Sequence, residues 1–219
     1  SDSQNGLATS FTDLMTSLAV IFILLLCVTH NEAQQEGETT RNSILAELRN
    51  ELREFMQKGV KIESDPKDPL GLLVLVPEGL FAFEFDKADI PPKGTEFLRL
   101  FIPRFASIVC DKRFRDDLNS IVVEGHTDST GTDQYNWELS QRRSMSVVAK
   151  SLNVLDENHQ DNNNFTDVRN YFVKLMSASG RGSAELIKIN GIENRELSRR
   201  VVFKIRVRSL EQRLVKTIV

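Results

Sequence analysis

Residues 9–28 form the longest apolar run in the chain, and one carboxylate, Asp13, stands near its head. From residue 14 to residue 28 every side chain is apolar, hydroxyl-bearing or a thiol. As a helix, that stretch reaches roughly 22 Å at about 1.5 Å per residue, whereas a bilayer core needs about 30 Å. A spanning helix must therefore recruit residues 9–13, which draws Asp13 below the headgroups. A carboxylate at such depth costs on the order of 3 kcal/mol and marks an ion or proton path. The plainer alternative is a polar residue that ends the span at the interface. Thr9, Asp13, Thr16 and Ser17 fall at i, i+4, i+7 and i+8, making one polar stripe on a greasy helix. Hydroxyls on one face favour close packing with other helices. A lone helix forms no pore, so Asp13, flanked by Thr16 and Ser17 as a proton relay, calls for partner helices.

A cleaved signal fits poorly, because residues 1–10 contain no Lys or Arg and one Asp. Residues 24–27 superficially look like a lipobox, but the residue before Cys27 is Leu26 rather than a small one. The segment is expected to be an uncleaved anchor over 9–29 behind a cytoplasmic stub at 1–8. The full length of 219 residues suits one ordinary domain plus appendages, and a net charge of −3 gives no reason to expect nucleic acid. Cys27 and Cys110 make no CxxC and no metal-ligand spacing.

Beyond the anchor, residues 30–69 read as a linker, polar and acidic over 30–40. It contains a helix at 41–58 that carries Leu45, Leu48, Leu52 and Phe55 at 3-4-3 spacing. That seam is either a short dimer contact or an amphipathic face lying on the following domain. Gly59 suits the helix cap. Residues 64–69 are a Pro/Asp-rich joint. Residues 72–76 read as a buried strand, 77–79 as a turn and 80–85 as a second strand, its hairpin partner. Pro91 and Pro92 open a helix with Phe97, Phe101, Phe105 and Val109 on one core face, and Pro103 should kink or interrupt it. A strand at 119–124, a helix at 135–152, a polar insertion at 156–164 and a helix at 166–176 follow. The run 199–208 alternates cleanly, with Val201, Phe203, Ile205 and Val207 inward. The expected class is α+β, a mixed sheet packed by helices as a two-layer α/β sandwich over 70–208, with a tail at 209–219.

One segment carries binding chemistry. It runs G-H-T-D-S-T-G at 125–131, then Asn136, then L-S-Q-R-R-S at 139–144. Asp128 leaves a strand and Arg143 lies well into the next helix, so the fold can bring an acid and a base to one pocket. Such a pair matches a ligand bearing both an ammonium and a carboxylate. The alternative is a structural salt bridge between the two. The order and spacing resemble the OmpA-like peptidoglycan-binding family, whose signature is G-H-T-D-x-x-G followed by N-x-x-L-S-x-x-R-A. The R-R-V at 199–201 resembles that family's N-R-R-V, with Ser198 in place of the asparagine. The resemblance implies that Asp128 takes the ammonium of the diaminopimelate stem peptide and Arg143 its carboxylate, with Thr127, Asn136 and Arg200 assisting. His126 is expected to hold the turn, and Arg142 to face solvent.

Such a domain behind one N-terminal helix with an early Asp resembles the MotB-like B subunits of proton-driven motors. The string F-T-D-L-M-T at 11–16 is similar to theirs. The lack of a basic tail and the Ile/Leu-rich run look more like the ZorB-type subunits of Zorya anti-phage defence systems. The resemblance implies a homodimer in the inner membrane with its C-terminal domain in the periplasm. It also implies a ring of MotA/ZorA-like multi-span subunits, peptidoglycan as anchor, and protons as coupling ion with no cofactor. With no nucleophile–base pair or metal cluster visible, the chain is not expected to be an enzyme. A flagellar stator and a purely structural wall anchor are the alternatives.

Overall fold

The computed structural model describes residues 2–157, 163–209 and 212. Helix α1 (Asp2–Glu51) is unbroken over 50 residues, about 75 Å at 1.5 Å per residue. Residues 30–40, expected to link two helices, are part of it. Gln35, Glu36 and Glu38 are good helix formers. Gly37 is accommodated because the helix passes close to the domain, where a Cβ would meet Leu70 Cδ2 at 2.7 Å. Among the described residues α1 is the one helix long and apolar enough to cross a membrane. Phe11, Leu14, Leu18 and the large apolar residues from Val20 to Val28 are all exposed on it.

The remaining elements are α2 (Arg53–Met56), β1 (Lys61–Ser64), β2 (Gly71–Pro77), α3 (Glu78–Phe81), α4 (Pro92–Val109), β3 (Leu118–His126), α5 (Asp133–Glu157), α6 (Asn163–Leu175), β4 (Met176–Gly180), β5 (Lys188–Ile189), β6 (Ile192–Glu193), α7 (Arg195–Ser198) and β7 (Arg200–Val207). Five strands form one sheet in the order β1-β2-β7-β3-β4. Among the described residues only β3 and β4 pair in parallel, and α5 and α6 make the crossover between them. β5 and β6 form a separate small hairpin. This is the expected α+β architecture of a mixed sheet packed by helices.

The core is a phenylalanine stack. Rings of Phe97, Phe101 and Phe105 are stacked at 5.3 and 5.5 Å along α4. Phe203 from β7 lies against Phe101 and Phe105, while Phe55 meets Phe97 and Phe101 edge-on. These are packing residues, as their four-residue spacing predicts. Leu45, Leu48, Leu52 and Phe55 are buried in the same core. The seam therefore packs within its own chain and is not available to a second copy.

One further expectation is corrected, one is decided in part and one strand is added. Residues 80–85 do not form a strand, because both edges of β2 are taken, one by β1 and the other by β7. They instead complete α3 and a loop, with Ala82 left-handed at the helix end and Phe81 fully buried. α4 runs through Pro103 without interruption. β4, a small-residue strand of sequence M-S-A-S-G, lacks the β-branched signal that identifies strands from sequence. Most of the polar insertion (158–162) and nearly all of the C-terminal tail lie outside the described residues.

Candidate functional site

One row of the sheet positions the site. Pro77 pairs with Arg200, and Arg200 pairs with His126, so three adjacent strands end or begin at one level. Just past that row lie Glu78 after β2, Arg199 before β7, and Thr127 with Asp128 after β3. The Glu78 N–H donates to the Arg199 carbonyl at 3.2 Å, extending the ladder by one step. Helix α5 supplies Asn136 and Arg143 from above. It can lie close because Gly125 faces the Ser140 carbonyl, and a Cβ at that glycine would overlap it.

These residues line a cavity of about 1010 Å³. Lys58, Lys61, Asp86 and Glu196 add charge to it, and Phe83, Phe85 and Leu139 add apolar wall. Phe85 is 92% exposed. Glu78 bridges two cations, pairing with Arg143 through Oε1 and with Arg199 Nε at 2.8 Å through Oε2. Arg199 Nη1 in turn lies 2.7 Å from Asp128 Oδ2. Arg143 also donates from Nε to the Lys87 carbonyl at 3.0 Å and from Nη2 to the Glu84 carbonyl at 3.3 Å. Its guanidinium lies 4.8 Å from the centre of the Phe83 ring.

Residues 82–199 match the OmpA family. The chain belongs to that family. Among curated relatives, outer membrane protein A of Bordetella avium is 35% identical over 94 residues, 42% of this chain and 44% of that protein. Peptidoglycan-associated lipoprotein of Pseudomonas aeruginosa is 33% identical over 67 residues, 31% of this chain and 34% of that protein. The chain thus spans less than half the length of these relatives. A MotB-like protein of Desulfovibrio vulgaris has the same fold, with a TM-score of 0.57 over 80% of this chain and 96% of that one at 18% identity.

Within this OmpA-family domain, Thr127, Asp128, Asn136 and Arg143 all line the cavity. Arg200 does not. Its Nη1 is bound by the carbonyls of Glu185 and Ser198, each at 3.1 Å, on the opposite side of β7. Arg199 takes the place expected for it. The alternative of a direct salt bridge between Asp128 and Arg143 is not realised, because Glu78 and Arg199 stand between them. Neither was foreseen, although strand parity offered a signal for Arg199. It shares the phase of Val201 and Phe203, which face the helices, whereas Arg200 is in the phase of Lys204 and Arg206.

The electrostatics follow from these contacts. Burial opposes the charged form of Asp128, but the Thr130 N–H at 2.9 Å and the Arg199 guanidinium outweigh it and hold the carboxyl below its usual range. Burial draws Arg143 below the usual arginine value while Glu78 supports its charge. His126 is buried with its Nε2 3.7 Å from Glu124 Oε2, and burial lowers its pKa against the pull of that carboxylate. The turn is held not by that ring but by Asp128 on Thr130 and by Glu193 on Ser129 at 2.5 and 3.0 Å. Thr127 Oγ1 and Asn136 Nδ2 are buried without a hydrogen-bond partner among the described residues. Arg142 is exposed.

In α1, Asp13, Thr16 and Ser17 are exposed, and Thr16 Oγ1 donates to the Thr12 carbonyl at 2.8 Å. The Thr16 hydroxyl is thus turned onto its own helix. The side chain of Thr9 lies outside the described residues.

Proposed function

We propose that this chain anchors a membrane machine to the cell wall, its single spanning helix in the inner membrane and its OmpA-family domain binding peptidoglycan in the periplasm. The observation that carries the reading is the cavity in which Asp128 and Arg143 face a common space. A diaminopimelate stem peptide presents an ammonium and a carboxylate on one short side chain, the complement of such an acid and base. The names of the curated relatives, an outer membrane protein and a peptidoglycan-associated lipoprotein, support it. The test is co-sedimentation of the full chain in detergent with purified peptidoglycan sacculi. Asp128→Asn should remain in the supernatant, and equal sedimentation of variant and parent would refute the reading.

The finer proposal is a B subunit of a proton-driven motor in anti-phage defence. Two copies would pair within a ring of MotA/ZorA-like multi-span subunits, with Asp13, Thr16 and Ser17 relaying protons and no cofactor. Each proton crossing ~100 mV releases about 2.3 kcal/mol, enough to bias a step of the ring against a stator held by the wall. Support comes from the exposed apolar surface of α1 with Asp13 at its head, and from the MotB-like fold. In cells carrying the whole locus, Asp13→Asn should abolish protection from phage. Protection that survives the substitution, with the protein present at normal level, would remove Asp13 from the mechanism. A static wall tether is the second reading, favoured by the lipoprotein relative. It makes no use of Asp13, so the same substitution separates the two. A flagellar stator would show loss of swimming instead.

A further inference from the structure

Across the cavity four charges alternate in sign, in the order Asp128, Arg199, Glu78, Arg143. The outer two are the acid and base that the wall-binding reading assigns to a ligand's ammonium and carboxylate. The inner two already occupy those places. The Arg199 guanidinium sits on Asp128 as an ammonium would, and the Glu78 carboxylate sits on Arg143 as a ligand carboxylate would. We propose that Glu78 and Arg199 form an internal substitute for the ligand, a latch that yields to a molecule carrying both charges and excludes singly charged ones. This inference rests on the wall-binding reading.

The outer residues are fixed and the inner ones can leave. Arg143 is tied to the carbonyls of Lys87 and Glu84 and lies over Phe83, so it stays when Glu78 departs. Asp128 keeps the Thr130 N–H. Arg199, by contrast, has a side chain 40% exposed, and its guanidinium can swing into solvent without unravelling β7. Glu78 is the first residue of a four-residue helix, beside open cavity. A lone ammonium would replace Arg199 at Asp128 but leave Glu78 with one cation where it had two. A lone carboxylate would meet the charge of Glu78 at Arg143. Only a ligand with both groups restores the alternation of sign after the inner pair has moved away.

The deciding experiment titrates the full chain, in detergent, with the wall tripeptide L-Ala-γ-D-Glu-meso-diaminopimelate by calorimetry. The parent is compared with the double variant Glu78→Gln/Arg199→Gln, which removes one charge of each sign and so preserves net charge. If the latch is closed about nine-tenths of the time, removing it tightens binding about tenfold. Tighter binding by the double variant, including binding seen in it alone, supports the latch. Binding by the parent that is equal to or tighter than that of the variant overturns the latch and leaves wall binding intact. No binding by either chain overturns both. Should the double variant unfold, the Arg199 Nε NMR signal of the parent decides. It must shift as tripeptide saturates the protein, and an unmoved signal at saturation overturns the proposal.

Discussion

Arg199 Nη1 lies 2.7 Å from Asp128 Oδ2, so the acid of the site is paired with the residue just before β7 and not with the base on the facing helix. Glu78 then connects Arg199 to Arg143. The site is a chain of four charges, in which truncating Arg199 leaves Asp128, and truncating Glu78 leaves Arg143, without its counterion. Because three of the four side chains are largely buried, such a loss is weakly screened by salt.

Arg143→Lys should therefore behave as a severe change. A lysine keeps the charge but cannot serve Glu78 and two carbonyls at once from a planar fork. Losing a charge-assisted hydrogen bond of that fork costs about 1.5–3 kcal/mol, a loss of roughly tenfold or more in tripeptide affinity by calorimetry. Affinity within about threefold of the parent would show that the ligand does not use Arg143.

Much of this site was legible from the chain alone, but unevenly. Thr127, Asp128, Asn136 and Arg143 sit within one strand–turn–helix segment, and local spacing suffices to bring them together. Glu78 and Arg199 join them only through the register that aligns Pro77, Arg200 and His126 on three strands far apart in sequence. No single-sequence pattern reports register between distant strands. The same limit explains residues 80–85. Their alternation imitates a strand, yet the neighbouring edge is claimed by β1, whose four residues K-I-E-S carry too little apolar pattern to be noticed.

Gly125→Ala should separate folding from chemistry. The methyl group would overlap the Ser140 carbonyl and push α5 away from β3. Overpacking of this kind typically costs about 1–3 kcal/mol. Urea unfolding should report that loss of stability, and tripeptide binding should weaken as Arg143 and Asn136 move off the cavity. Unchanged stability and affinity would show that the helix has room to retreat.

The acid limb of stability should depend on Glu185. A hydrogen bond from Lys67 at 2.7 Å, opposed by burial and aided by Arg181, holds this carboxyl at about 2. Its ordinary value is 4.5. A folded-state pKa below the unfolded one gives stability that is fully present above about 4.5 and is lost as pH falls toward 2. The urea midpoint of the parent should decline through that window, and Glu185→Gln should show a shallower decline. Parallel curves for the two proteins would remove Glu185 from the acid response.

Leu48→Ala distinguishes a packing role from a dimer seam. Leu48 is fully buried against the domain's own core, so truncation should cost about 2–5 kcal/mol of stability. That loss should be independent of protein concentration, since it arises within one chain. A dimer seam would give the opposite pattern, with unfolding midpoints that rise with protein concentration in the parent and cease to do so in the variant. Because α1 continues without a break from the apolar surface into this packed segment, the substitution should also loosen the rigid connection between Asp13 and the OmpA-family domain. If the proposed motor acts in defence, protection in cells carrying the locus should then fall even though the cavity retains its tripeptide affinity. Full protection by a destabilised Leu48→Ala chain would count against a motor that needs a stiff link to the wall.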